Sequence, residues 1–354
     1  FRKLCNKLRE LSMKTIYSEK HILRDSKTEL FGGELVPPFE CPVRVEHVVR
    51  EINKRNFSKI IKPKHFGKEP LLKIHSEKYL DFLENCWLDW KAAGYKGEAI
   101  ATTSPSKRMT RDIPPREIDG RLGYYCLAAE TSISKGTWEA AYLSADVALT
   151  GAELINTGST AAFSLCRPPG HHAAIDMFGG YCFVNNAAVS AQYLLDNGAT
   201  KVAILDVDFH HGNGTQSIFY DRDDVMFCSI HGDPMDAFPY FLGGDDELGE
   251  GNGLGYNFNY SLPPGTSYSV WSQALDSAIT EIHSYQADAL IVSLGVDTFE
   301  NDPISFFGLK SADFIDYGRK IAKMKLPTLF VMEGGYAVEE IGVNTVNVLE
   351  GFES

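Results

Sequence analysis

The sequence has no Cys-x-x-Cys pair and an odd number of cysteines: Cys5, Cys41, Cys86, Cys126, Cys166, Cys182 and Cys228. That speaks against a disulfide framework and against a thiolate zinc site, and leaves reduced, mostly buried thiols as the expectation. No apolar run approaches the roughly 18 residues of a membrane span, so no membrane partner is expected. Basic residues are scarce. The chain has 34 Lys and Arg against 47 Asp and Glu, a formal charge of −13. A protein that tracks phosphates normally shows a basic face, so no nucleic-acid partner is expected, whereas a small cationic one is compatible with the balance. Internal repeats, low-complexity tracts and an interdomain linker are missing as well. Residues 1–12 are basic and amphipathic but lack the apolar centre of a secretory signal. Because MKTIYSE from Met13 reads as a start followed by a strand, these residues are expected to be an upstream or appended extension. The cytoplasm is the default compartment.

What is present is the composition of a folded protein, with 44% hydrophobic and 23% charged residues. At this length about three quarters of the unfolded surface can be buried without crosslinks. Apolar runs rich in β-branched residues occur at 14–17, 161–165, 202–207, 225–230, 289–294 and 328–332. Strands that read as continuous apolar runs are buried on both faces, as in parallel sheets. Helical patterns lie between them at 139–156, 186–196, 268–285 and 312–323. The alternation predicts a single α/β domain over 13–354, with a central, mainly parallel β-sheet flanked by helices. Residues 94–123 break the pattern with Pro105, Pro114, Pro115 and many Ser and Thr, and read as an inserted loop.

Open parallel sheets place their sites at the carboxyl ends of strands, and four such ends carry polar clusters here. The run at 202–207 leads into Asp206-Val-Asp208-Phe-His210, where a period of two would put Asp206, Asp208 and His210 on one side. The run at 289–294 leads to Asp297 at the same edge. A lone strand-end Asp more often caps the next turn. Two carboxylates and an imidazole together can hold a divalent ion and leave a position open for water and substrate. The run at 161–165 leads through Arg-Pro-Pro-Gly to His171 and His172. Alone such a pair is more often structural, but beside the acidic cluster it suits proton transfer, since imidazole titrates nearest neutrality. The run at 328–332 ends in Glu333-Gly-Gly-Tyr336, a phenol that could donate to a substrate oxygen as charge develops. The alternating glycines Gly249, Gly251, Gly253 and Gly255 are no nucleotide fingerprint, because they follow an acidic loop and precede a strand-like segment.

Taken together, RPPGHH at 167–172, DVDFHHGNGT at 206–215, Asp297 and the Gly-Gly-Tyr at 334–336 resemble the zinc-dependent histone deacetylase superfamily and its arginase–deacetylase fold. Within it the chain looks most like the bacterial acetylpolyamine amidohydrolases, on TELFGGELVPPFE at 28–40, WKAAGYKGEAIAT at 90–102, GYYC at 123–126 and SLGVDTFENDPISFF at 293–307.

The resemblance implies Zn2+, with Fe2+ as an alternative in the cell, bound by Asp208, His210 and Asp297. It implies His172 as general base and acid, with His171 oriented by Asp206, and Tyr336 polarising the amide carbonyl. It implies a Gly180 carbonyl facing the substrate amide, and Tyr181 and Phe238 as channel walls. It also implies structural K+ near Asp206, Asp208, His210, Ser229 and Ile230, and a second near Phe219, Arg222 and Val225. Asn213 departs from the acidic residue that many nuclear lysine deacetylases carry there and supplies no negative charge. The implied activity is removal of acetyl groups from small cationic acylated amines. Asp119 and Glu130 match substrate-facing acids of the subfamily, though each could equally be a solvated surface charge. The loop at 94–123 is implied to pack in a homodimer. A protein lysine deacetylase of the same fold and a non-catalytic acyl-amine binding protein are the alternatives. An arginase-like two-manganese hydrolase would need bridging carboxylates that the sequence does not show.

Overall fold

The computed structural model describes residues 13–105 and 113–354. The extension read at 1–12 and residues 106–112 of the segment read as an inserted loop lie outside the described residues. Ten strands follow in chain order: β1 (Lys14–Ile16), β2 (Glu29–Phe31), β3 (Glu34–Val36), β4 (Lys59–Ile61), β5 (Ala161–Ser164), β6 (Val202–Asp206), β7 (Val225–Gly232), β8 (Asn257–Leu262), β9 (Ala289–Leu294) and β10 (Thr328–Met332). Eight of them form one sheet in the order β4-β1-β5-β10-β9-β6-β7-β8, every pair parallel. β2 and β3 make a separate antiparallel hairpin.

The alternation of side chains divides the core in two. Ala162, Ile204, Ile291, Leu329 and Val331 face the helices Glu77–Ala92, Thr137–Asn156 and Asn186–Asp196. Phe163, Leu205, Leu290, Val292 and Phe330 face the helices Val43–Arg55, Tyr268–Tyr285, Ser311–Ala322 and Val338–Glu353. Because each central strand is covered on both faces, its sequence is mostly apolar, interrupted only by small hydroxyl residues such as Ser293 and Thr328, and its carboxyl end is where charged groups can stand.

Those ends belong to β5, β10, β9 and β6, four neighbours at the centre of the sheet. The four polar clusters therefore converge on one edge. Among the described residues no helix is long and apolar enough to cross a membrane. Five of the six described cysteines are buried and all six are free.

Two expectations need correction. The segment 94–123 is not wholly irregular. It ends in the helix Ile118–Tyr124, whose first-turn N–H groups at Asp119 and Gly120 donate to the Glu117 carboxylate. Seven residues with two glycines carry too little periodicity to reveal a helix, and its cap is what defines it. The second correction concerns β6, which stops at Asp206, so Asp208 and His210 are not on an extended strand. The chain there folds over its own carboxylates: Asp208 N–H donates to Asp206 Oδ1 at 3.1 Å, and His210 N–H to Asp208 Oδ1 at 2.9 Å. Asp side chains favour this local bonding over ladder pairing.

Candidate active site

Asp208, His210 and Asp297 are brought together, each buried, with one potential ligand atom from each within 4.8 Å of the others. His210 Nδ1 lies 3.0 Å from Asp297 Oδ2 and 3.3 Å from Asp208 Oδ1. The carboxylates are fixed by the backbone. Gly334 N–H donates to Asp208 Oδ2 at 2.7 Å, and Phe209 N–H to Asp297 Oδ1 at 2.7 Å. Gly334 must be glycine, because a Cβ there would sit 2.5 Å from an oxygen of each carboxylate. Burial and the neighbouring Asp208 push Asp297 up to about 7. Burial opposes a charge on His210, yet hydrogen bonds to Asp208 and Asp297 raise it to about 10. Two dry carboxylates held this close demand a cation, and a hard or borderline divalent ion fits two oxygens and one imidazole nitrogen.

The two histidines next to this cluster have unlike partners. His171 Nδ1 is 3.0 Å from Asp206 Oδ2, whereas His172 Nδ1–H donates to Asn213 Oδ1 at 2.7 Å. Burial lowers both. The charges of Asp208 and Asp206 more than restore His171, to about 10. The amide gives His172 no such charge, and the cations of His171 and His210 press it well below the ordinary imidazole value.

The backbone carrying the pair is fastened by groups that sequence reasoning missed. Glu333 Oε2 accepts from the N–H of Gly170 at 2.6 Å and of His171 at 3.2 Å. Glu40, fully enclosed, meets Arg167 at 2.6 Å and Arg44 at 3.1 Å. Arg44 reaches back to the carbonyls of Gly335 at 2.6 Å and Glu333 at 2.7 Å. Glu333 stands directly before Gly-Gly-Tyr and Glu40 closes the 28–40 motif, so both had a signal. Arg44 is one of many helix arginines and had none.

A cavity of about 490 Å³ opens onto this cluster, lined by His172, His210, Gly180, Tyr181, Phe238 and Tyr336 among others. Tyr181 and Tyr336 are 5.6 Å apart between ring centres, and Phe238 stands edge-on to His172 at 5.1 Å. Tyr336 is set by Asp302, which accepts its N–H at 2.7 Å, and by the Arg44 guanidinium 4.8 Å over its ring. Burial keeps its phenol protonated well beyond the usual range, against the pull of Arg44. Glu130 lines the cavity and accepts from Gly180 N–H at 2.9 Å. Asp119 does not reach it and instead meets the Thr102 hydroxyl at 3.2 Å. Asp236 on the opposite loop lines the cavity and is exposed.

The positions named for potassium fall in two places. Asp206 pairs across the sheet with Ser229, next to Ile230, with Asp208 and His210 just beyond. Phe219 and Arg222 meet in the turn before Val225, where Arg222 N–H donates to the Phe219 carbonyl at 3.0 Å.

Glu29, behind the wall, is a further residue that sequence reasoning left unassigned. It accepts from Tyr181 O–H at 3.2 Å and Phe39 N–H at 3.1 Å. Burial outweighs those bonds and lifts its pKa to about 7, from an ordinary value of 4.5. The folded state thus keeps a proton that the unfolded chain releases. Its contribution is intact below about 4.5 and is lost as pH rises through about 7. Glu29→Gln cannot ionise, so its Tm should exceed the parent's at about pH 8 and converge on it at about pH 5. Melts that differ equally at both pH values would reject this.

The Histone deacetylase domain family matches residues 38–352, and the chain belongs to that family, whose members are metal-dependent hydrolases of amides. An acetylpolyamine amidohydrolase of Mycoplana ramosa is 60% identical over 339 residues, covering 96% of this chain and 99% of that protein. Acetylpolyamine amidohydrolase 1 of Pseudomonas aeruginosa is 54% identical over 342 residues, covering 96% of this chain and 99% of that protein. The crystal structure of an acetylpolyamine aminohydrolase from Burkholderia pseudomallei superposes with a TM-score of 0.92 at 37% identity, over 97% of this chain and 99% of that one.

Proposed function

We propose that this chain hydrolyses the N-acetyl amide of acetylated polyamines and small acylated diamines, giving acetate and the free amine. The observation that carries the reading is the buried Asp208–His210–Asp297 cluster at the base of an aromatic cavity, directly beside the paired histidines. Zn2+ is the proposed ion, with Fe2+ also suited to this donor set. Bound there, it supplies Lewis acidity toward water and the amide carbonyl.

The remaining work falls to the chain. His172 donates from Nδ1 to Asn213, which leaves Nε2 as the basic nitrogen to take a proton from the attacking water. Tyr336 donates its O–H to the carbonyl oxygen as negative charge gathers there. The Gly180 carbonyl accepts the substrate amide N–H. His171, held by Asp206, keeps its partner's surroundings positive, and a protonated histidine returns the proton to the departing amine. Tyr181 and Phe238 exclude water from the scissile bond, and Glu130 gives the cavity an acid for the cationic chain.

Structural K+ at the two places described is part of the proposal, supported by the adjacency of Asp206 and Ser229. Packing of 94–123 in a homodimer is a further part, with sedimentation of the parent against a chain lacking 96–122 as its check. The test of function is a steady-state panel on metal-reconstituted protein. Acetylspermidine and acetylcadaverine should be cleaved with much higher kcat/KM than an acetyl-lysine peptide. The reverse order would make the protein a lysine deacetylase instead, and binding without turnover would make it a non-catalytic acyl-amine receptor.

A further inference from the structure

Phe238 forms one wall of the cavity from a long loop, 233–250, that joins β7 to β8. The hydrophobic core does not hold the tip of that loop, since Met235 is 84% exposed and Phe241 86%. The first limb is a short turn in which Asp233 accepts the N–H groups of Asp236 and Ala237, each at 2.8 Å. The returning limb, 243–247, is bonded largely by polar side chains, of which Gln216, His231, Asn257 and Asn259 are buried.

Three of these alternate along β8 and so share one face. Asn257 donates to the Glu247 carbonyl at 2.7 Å, Asn259 to the Gly244 carbonyl at 3.1 Å, and Ser261 Oγ to Asp245 at 2.7 Å. Behind them, Gln216 Oε1 gathers donors from His211 at 3.0 Å, Asn257 at 2.9 Å and Asn259 at 2.8 Å. Its amide nitrogen donates to the Glu247 carboxylate, which also accepts Gly243 N–H at 3.0 Å. His231 Nε2–H donates to the Gly243 carbonyl at 2.9 Å, and its Nδ1 accepts from Ser229 Oγ at 2.8 Å. Ser229 lies opposite Asp206 in the sheet, so the loop is tied to the strand that starts the acidic cluster. Gly243 has φ +106°, and a Cβ there would come within 2.8 Å of both His211 and His231.

A polar network with this many shared, mostly buried bonds is stiff, because breaking one strands a buried partner. We propose that Gln216, His231 and Glu247, acting with the polar face of β8, are positioning residues. By fixing the returning limb they set how far Phe238 stands from the reacting centre, and so which acyl groups the cavity admits. The proposal rests on the deacylase reading above.

The experiment compares acetyl, propionyl and butyryl forms of one diamine with the metal-reconstituted parent, Glu247→Ala, Asn259→Ala and Glu247→Gln. Glu247 is only partly buried, so its variants should fold, as thermal melts will show. Glu247→Ala and Asn259→Ala should raise the butyryl-to-acetyl ratio of kcat/KM about fivefold or more, the scale of a loosened methylene fit. Glu247→Gln, which can still accept the Gly243 N–H, should keep the parental ratio. A Phe238→Trp reporter checks the same idea without turnover, and adding Glu247→Ala should shift its emission to the red. A parent that cleaves no acylated amine defeats the deacylase reading and leaves the reporter to decide the positioning role. An unchanged ratio, or unchanged reporter emission when there is no turnover, overturns the proposal. A lowered Tm with an unchanged ratio does so too, since it leaves the clamp a purely structural role.

Discussion

Tyr336→Phe should lower kcat by on the order of 10²-fold or more while KM moves little, the pattern for losing a donor that acts on developing charge. The substitution removes one oxygen and leaves the ring where its supports hold it. Those supports do not involve the hydroxyl: Asp302 accepts the backbone N–H, Arg44 lies over the ring face, and the Tyr181 ring sits 5.6 Å away. The phenol is also in the correct state to donate. Burial holds its proton well above the ordinary tyrosine range, and the positive Arg44 is too weak an opponent to release it near neutrality. Steady-state kinetics with the metal content of each preparation matched would check this. A kcat within about twofold of the parent would remove Tyr336 from the reaction and leave it a wall residue.

The parts of this site that were legible in the sequence share one physical cause. A strand buried on both faces is mostly apolar, so the first charged residues after it stand out, and in a parallel sheet all those residues gather at one edge. That is why the sequence alone brings Asp206, His171, Asp297 and Tyr336 to one place. The same rule did not reach Arg44, Glu29 or Asp302. They act from a helix, a hairpin and a loop, where nothing in the local pattern separates a buried, bonded side chain from a solvated one. It also misdescribed Asp208 and His210. Periodicity alone extends a strand until a breaker appears, whereas here carboxylates capture the backbone N–H groups two residues on and bend the chain early. Short edge elements such as β4, three residues long, carry too few positions to show a period at all. Asp119 and Glu130 look alike in sequence, yet a hydrogen bond to Gly180 draws one into the cavity wall, while the other is spent on Thr102 in the inserted segment.

His172→Ala should cost more than Tyr336→Phe, on the order of 10³-fold in kcat, within the range for a positioned general base. The two histidines have parallel placements, with ring centres 4.0 Å apart, but their partners divide the labour. Asp206 stabilises a positive His171, so that ring already holds its proton near neutrality and cannot serve as the initial acceptor. Asn213 fixes the tautomer of His172 without charging it, and burial with the adjacent positive His171 keeps it neutral. The unprotonated Nε2 is therefore available when water is attacked, and the same low basicity makes His172⁺ a strong acid toward the leaving nitrogen. Asn213→Ala offers a graded control. It removes the tautomer lock but not the base, so its loss should be about tenfold, well short of that in His172→Ala. Asn213→Asp should raise the His172 pKa by restoring a facing carboxylate and move the acidic limb of the kcat profile to higher pH. Single-turnover rates across pH on metal-matched protein would measure all three. If His172→Ala keeps kcat within about tenfold of the parent, the proton goes elsewhere and His171 becomes the group to test.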